Sequence, residues 1–259
     1  MSDRAHPVLE LLKQRGLEVC QHSSLDFLLQ PRVPEFVGAF YALMKHYSFR
    51  LMLRDVIRFQ HDLALSRLVR FVDEATAAGY LAELVRMGIL EQSGEQHVLP
   101  GGPVENFGTT LEWFVARALI EELSIPALHG VRLAGTATGG DFDVIGAMSG
   151  RLVYVETKSS PPKHIEDREV EVFLRRLGDL VPDLAIFLVD TNLRMLDKVV
   201  AMFHKALPKR RQLVRLSGEI FHRSGRLFVM NSKPDLVANL KACVRAYHAA
   251  RFRGPAGIL

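Results

Sequence analysis

The stretch GGDFDVIGAMSGRLVYVETKSS, Gly139 to Ser160, reads as two strands joined by a tight turn at Ser149-Gly150. Glycine there supplies the positive φ that two-residue hairpin loops need. With Met148 facing Arg151 across the turn, Asp143 falls opposite Glu156 and Asp141 opposite Lys158. Side chains alternate between the faces of a sheet, so both pairs share one face. Phe142, Val144 and Gly146, opposite Thr157, Val155 and Val153, make the other. One face of the hairpin thus packs on a core while the other gathers its ionisable groups.

Like charges directly opposed in a ladder, with Cβ atoms about 4.5 to 5.5 Å apart, destabilise it. Asp143 facing Glu156 therefore calls for a cation. Lys158 can supply part of that charge, and a divalent ion would neutralise both carboxylates through the oxygen ligands that Mg²⁺ or Mn²⁺ prefers. Carboxylates at the solvent end of a sheet are also an ordinary solvated face, and Glu-x-Lys alone is no more than that. The cross-strand Asp143 argues for a site. So does the position of the triplet, which ends the apolar LVYVETK just before Ser159-Ser160-Pro161-Pro162. Asp141 can tether Lys158 across the ladder or extend the acidic site.

Upstream, a helix is predicted from Thr110 to about Glu122, in which Glu112, Val115, Ala116 and Leu119 form an i, i+3, i+4, i+7 row. Glu112 interrupts a stripe that is otherwise apolar, and a buried lone carboxylate needs a partner. Alternatively Glu112 is a first-turn acid favoured by the helix dipole, beside a Thr109 or Thr110 cap. A strand at GVRLAGTA precedes the hairpin. After it come a helix from Ile165 to Leu180 and the apolar run LAIFLVD at Leu184 to Asp190, which reads as a strand buried on both faces. A helix from Leu193 to Leu207, two short strands around EIFHRSGRLFVM and a last helix from Asp235 to Arg251 complete the chain. The order α-β-β-β-α-β with additions predicts an α/β domain built on a mixed sheet.

The preceding part is mainly helical, from HPVLELLKQRG through PEFVGAFYALMKHY, where Pro34 suits a first turn. Leu81, Leu84 and Val85 carry helical spacing, Gly88 can close that helix, and a hairpin follows at Ile89 to Gln92 and Gln96 to Leu99. The prolines and glycines of LPGGPVENFGTT mark a boundary, giving domains 1–103 and 104–259. Helix, glycine and polar hairpin resemble a winged helix-turn-helix. Thr76 to Met87 takes the recognition position, Glu91 to Val98 the wing, and either Leu53 to Gln60 or Leu65 to Val72 the preceding helix. Arg86 is the one base-contact cation that the helix offers, and a helical scaffold or dimerisation domain fits the same pattern.

With 48% hydrophobic and 24% charged residues in 259, the chain has the composition of a globular protein with a sizeable core. A net charge of +4 is compatible with a polyanionic partner without establishing one. Cys20 and Cys243 lie far apart in the sequence and give neither metal-ligand spacing nor a disulfide framework, which fits a reducing cytosol. MSDRAHPVLELLKQ lacks the pattern of an export signal, and no apolar run reaches membrane-spanning length.

Taken together, Glu112, Asp143 in DFDVIG, and Glu156-Thr157-Lys158 in VYVETK resemble the PD-(D/E)XK nuclease superfamily, of restriction-endonuclease-like fold, over roughly Gly108 to Asp190. The resemblance implies Mg²⁺ or Mn²⁺ held by Asp143 and Glu156, with Glu112 completing or supporting the metal site and the Thr157 carbonyl a further ligand. It implies that Lys158 orients and activates the attacking water. Two departures stand out. Phe142 replaces the proline of the motif, and the helix after Lys158 offers Arg168 and Glu169 in EDREVEVFLRRL where a glutamine-tyrosine signature would lie.

The expectation is thus a cytoplasmic metal-dependent nuclease acting on DNA, working as a homodimer. The alternative is a winged-helix DNA-binding regulator whose nuclease-like domain does not cut. Lys158 between two acids holds its proton readily, which favours an electrostatic and positioning role. PKRRQ at Pro208 to Gln212 and RFR at Arg251 to Arg253 could grip backbone phosphates, and both are equally ordinary solvated surface.

Overall fold

A computed structural model describes residues 6–23, 29, 31, 33–94 and 96–252. Arg253 of the RFR segment and the first five residues lie outside them. By its contacts the chain divides into Leu25–Phe114 and a second unit made of Met1–Ser24 with Val115–Leu259.

The first unit holds helices α2 (Val37–Met44), α3 (Tyr47–Arg58), α4 (Leu65–Leu68) and α5 (Glu74–Arg86), and the hairpin strands β2 (Glu91–Ser93) and β3 (Gln96–Val98). Asp73 caps α5 by accepting from the Thr76 N–H at 2.9 Å, and Gly88, at φ +67°, follows the last turn as expected. Both candidates for the preceding helix are present, α4 as a single turn. Aromatic packing makes the core: Phe40 meets Phe49 and Trp113 at ring distances of 5.9 and 5.5 Å, and Phe49 meets Tyr80 at 5.0 Å. Trp113 is therefore spent on packing. Buried Arg50 donates to the Met44 carbonyl at 2.6 Å, which satisfies an end of α2 that has no further helical partner.

The second unit is α/β. An eight-stranded mixed sheet runs in the order β1-β4-β5-β6-β7-β10-β9-β8, with β1 (Val19–Gln21), β4 (Ala127–Leu133), β5 (Asp141–Met148), β6 (Arg151–Lys158), β7 (Leu184–Val189), β8 (Val214–Ser217), β9 (Ile220–Arg223) and β10 (Leu227–Asn231). Strands β6, β7 and β10 are parallel and the other pairings antiparallel. Helices α1 (Pro7–Gln14), α7 (Asp167–Leu180) and α8 (Ala201–Ala206) cover one face, where Leu12, Phe173 and Phe203 join Tyr154, Phe187 and Val229 in one core. Helix α9 (Leu236–Phe252) covers the other, with Cys243 Sγ 3.7 Å from Met230 Sδ. Helix α6 (Gly108–Leu123) leads into the sheet, and the division between units falls within it.

The element order α6-β4-β5-β6-α7-β7 follows the expected α-β-β-β-α-β. Three local expectations are corrected. The first helix and strand belong with the sheet, because β1 pairs with β4 and Arg15, which follows α1 as its C-cap, bonds Asp183 at 2.6 Å. Strand β4 begins at Ala127, three residues before Gly130, and Gly130 sits within it at φ +55°. The expected helix from Leu193 is replaced by a π-helical turn, Leu196–Val200, that runs into the short α8.

Candidate active site

The hairpin register is as read from the turn: Met148 pairs with Arg151 and Val144 with Val155. Beyond Val144 the ladder stops. Asp143 turns its carboxylate into the gap, where Oδ2 accepts from the Thr157 N–H at 2.7 Å and from the Thr157 hydroxyl at 3.1 Å. A side chain thus replaces the main-chain acceptor that β5 would otherwise offer. The strand also departs from strict alternation, since the Phe142 ring lies 5.6 Å from Tyr154, in the same core layer as Ile145. The cause lies next door: on β4, Gly130 falls between His129, partner of Val144, and Val131, partner of Phe142. A glycine of positive φ inside a strand bends it and changes the direction of the following side chains.

Asp141 neither tethers Lys158 nor extends the acidic site. It pairs across the other edge of β5 with Arg132, at 2.7 and 3.2 Å, on the exposed rim. The ladder that would have set it opposite Lys158 has already ended.

Glu156 is 2% exposed on β6 and is held from several sides. Its Oε1 lies 3.0 Å from Lys158 Nζ and its Oε2 2.9 Å from Arg176 Nη1, while the Tyr154 hydroxyl also donates to Oε2. Lys158 Nζ reaches Glu169 Oε1 at 3.2 Å as well. Asp143 Oδ1 lies 3.9 Å from the same Arg176 nitrogen. Asp143, Glu156, Lys158, Glu169 and Arg176, with Arg168 and Val172, line a pocket of about 270 Å³.

Helix α7 brings the far wall. Glu169, Val172, Phe173 and Arg176 fall in an i, i+3, i+4, i+7 row, so one helix face carries an acid, an apolar anchor and a guanidinium. Phe173 fixes the rotation by packing on Tyr154 at 5.8 Å and Phe187 at 5.2 Å. Glu169 also starts the helix, its Oε2 accepting from the Glu166 N–H at 2.9 Å. Asp179, one turn beyond Arg176, accepts from the Ala137 and Thr138 amides and ties the loop before β5 to α7.

The electrostatics follow from burial and neighbours. Burial alone disfavours charged Lys158, yet Glu156, Asp143 and Glu169 outweigh it and raise its pKa above the ordinary lysine value, so the ammonium is retained. Burial raises the Tyr154 phenol, reinforced by Glu156 and Asp143, and keeps it a neutral donor. Burial opposes the charge on Arg176 as well, and the carboxylates of Glu156 and Asp143 hold its guanidinium protonated.

Of the residues expected from sequence, Asp143, Glu156, Thr157 and Lys158 come together. Glu112 lies in the other compact unit, half-buried at the start of α6 beside Trp113. Arg176, Tyr154 and the pairing of Glu169 are additions. Both helix residues carried a legible signal, since Glu169 and Arg176 interrupt the apolar stripe of α7 as Glu112 does that of α6. Tyr154 stands two residues before Glu156 on the same strand face.

Among the described residues, no three His, Cys, Asp or Glu side chains are grouped to hold a metal ion. The donors at hand nonetheless suit a hard divalent cation. Two carboxylates from neighbouring strands already flank one cationic nitrogen, that of Arg176, and Mg²⁺ is commonly bound through one or two carboxylates with water completing the shell. The Thr157 N–H points to the β5 edge, and in an extended strand the carbonyl of the same residue points to that edge too. The fit is to Asp143, Glu156 and the Thr157 carbonyl.

Among the described residues no helix is long and apolar enough to cross a membrane. No protein-family model matches the chain, and no curated protein does. In fold the chain is similar to protein VC1899 from Vibrio cholerae, known from its crystal structure, with a TM-score of 0.50 and 15% sequence identity. The likeness covers 95% of this chain and 60% of that one, so the chain spans about three-fifths of that protein's length, and it is a likeness of fold alone.

Proposed function

We propose that this protein is a metal-dependent nuclease that hydrolyses phosphodiester bonds of DNA, with the second unit as a restriction-endonuclease-like catalytic domain. One observation carries the reading: Asp143 and Glu156 converge on a single cation while Lys158 Nζ stands 3.0 Å from Glu156, all in one pocket. Asp143, Glu156 and the Thr157 carbonyl would hold Mg²⁺ or Mn²⁺. When bound, such an ion supplies a water of lowered pKa and polarises the phosphate. Lys158, kept protonated, stabilises negative charge developing on the phosphate and orients the attacking water. Arg168, exposed at the pocket's edge, adds a positive charge towards an anionic backbone. The role of Glu112 as a further ligand rests on the sequence resemblance alone.

The first unit is proposed to be winged-helix-like and to contact DNA or pair two copies in a homodimer, and the protein to act in the cytoplasm. Arg86, the cation expected to read bases, is bonded to Glu83 at 2.6 Å and lies over the Phe36 ring at 4.9 Å, which favours pairing or a scaffold over base readout.

A second reading is favoured by one fact. Arg176 and Lys158 compensate the acid pair without any ion, so a non-cutting DNA-binding regulator could retain it. Supercoiled plasmid incubated with Mg²⁺ or Mn²⁺ separates the two. Nicking or linearisation by the wild type and none by Lys158→Ala supports the nuclease. A salt-dependent shift of duplex DNA with no cutting supports the regulator, and equal cutting by both proteins would sink the proposed site.

A further inference from the structure

Arg176 stands where an ion would be wanted. Its Nη1 is 2.9 Å from Glu156 Oε2 and 3.9 Å from Asp143 Oδ1, with the side chain 12% exposed. A divalent ion added beside it would bring two further positive charges to carboxylates that already face a guanidinium and an ammonium. Opposed charges at such distances are strong where water is scarce, so ion and guanidinium compete for the same acids.

The arginine's hold is partial. A strong arginine-carboxylate pair is a two-pronged fork. Here only Nη1 bonds Glu156, the contact with the Tyr154 hydroxyl is long at 3.4 Å, and Nε is buried without a hydrogen-bond partner. The guanidinium lies over the Phe142 ring at 5.3 Å, a platform on which it can shift while staying in contact. Beside it is Gly140, where a Cβ would come within 3.1 Å of Nη2, so a side chain there would crowd the guanidinium.

We infer that Arg176 is a displaceable counter-cation: it holds Asp143 and Glu156 together in the ion-free protein and moves off Glu156 when a divalent ion loads. Ion affinity is then set by competition with an internal guanidinium, which keeps the site quiet at low ion concentration. This regulation rests on the nuclease reading above.

The test is Mn²⁺ binding to the full chain without nucleic acid, followed by electron paramagnetic resonance of the free ion. Arg176→Gln keeps a donor but removes the charge, and it is expected to bind at least about tenfold more tightly than wild type, equivalent to about 1.4 kcal/mol. Arg176→Lys keeps a charge and should stay close to wild type, while Asp143→Asn should lose binding. If wild type binds and Arg176→Gln binds equally or more weakly, the counter-cation role is overturned and the nuclease reading stands. If wild type and Arg176→Gln both fail to bind, both are overturned. Should Arg176→Gln not fold, the wild type alone decides through the Arg176 Nε–Hε nuclear magnetic resonance signal, assigned by its loss in Arg176→Lys. Displacement by Mg²⁺ must shift that signal, and an unmoved signal at saturating Mg²⁺ overturns the inference.

Discussion

Glu169 joins two tasks in one carboxylate: Oε1 lies 3.2 Å from Lys158 Nζ on β6, while Oε2 accepts from the Glu166 N–H that opens α7. The start of the helix and the orientation of the site lysine are thereby coupled. Substitutions can separate them. Glu169→Gln keeps an acceptor for the amide and loses the charge, so it should cost under about 1 kcal/mol of stability. Glu169→Ala loses both and should cost about 1 kcal/mol more. Urea melts of the two variants measure the difference, and equal costs would show that the helix-start bond contributes nothing.

Lys158 pairs with Glu156 and Glu169, but Glu156 keeps Arg176 and the Tyr154 hydroxyl when the ammonium is removed. Lys158→Met should therefore fold normally by circular dichroism. Its plasmid-cutting rate should fall by at least about 100-fold, the usual consequence of removing one preorganised electrostatic group.

Asp141 is bonded to Arg132 on the rim of the sheet, outside the pocket lining. An exposed pair of this kind is screened by salt and contributes little to stability. Asp141→Asn is expected to cut plasmid at the wild-type rate and to melt within error of it. A loss of cutting as large as that of Lys158→Met would return Asp141 to the acidic site.

His129 on β4 is 6% exposed, and burial, with a smaller contribution from the nearby His22, pushes its pKa down to about 4. The unfolded chain binds this proton at about pH 6.5, so between these values the unfolded state holds more protons than the folded one. The contribution is complete above pH 6.5 and is lost as pH falls towards 4, amounting to about 3 kcal/mol over the window. Urea melts at pH 7 and pH 4.5 should show a smaller acid loss for His129→Asn than for wild type. The same loss in both would mean that the imidazole is not buried neutral.

Much of the architecture of the sheet-bearing unit can be read from local pattern. Ser149-Gly150 marks its hairpin because the glycine supplies the positive φ of a two-residue turn, and that turn sets the register from Met148 to Val144. LAIFLV announces a strand buried on both faces, and the observed β7 is buried along its whole length. Strands β1 and β8 left no such mark. Each has only three or four residues, too few for a pattern to stand out from the chain around it, and a neighbouring strand edge makes them strands.

That Asp143, Glu156, Thr157 and Lys158 meet is legible from local order alone, because a hairpin's register depends on residues next to one another in the chain. How the acids are neutralised depends on the packing of the whole unit. Gly130 bends the adjacent strand and sends Asp143 to the Thr157 amide, and the packing of Phe173 turns Arg176 and Glu169 towards β6. Those partners are set by how a helix rotates on a sheet, and that rotation is fixed by side-chain packing between segments distant in sequence.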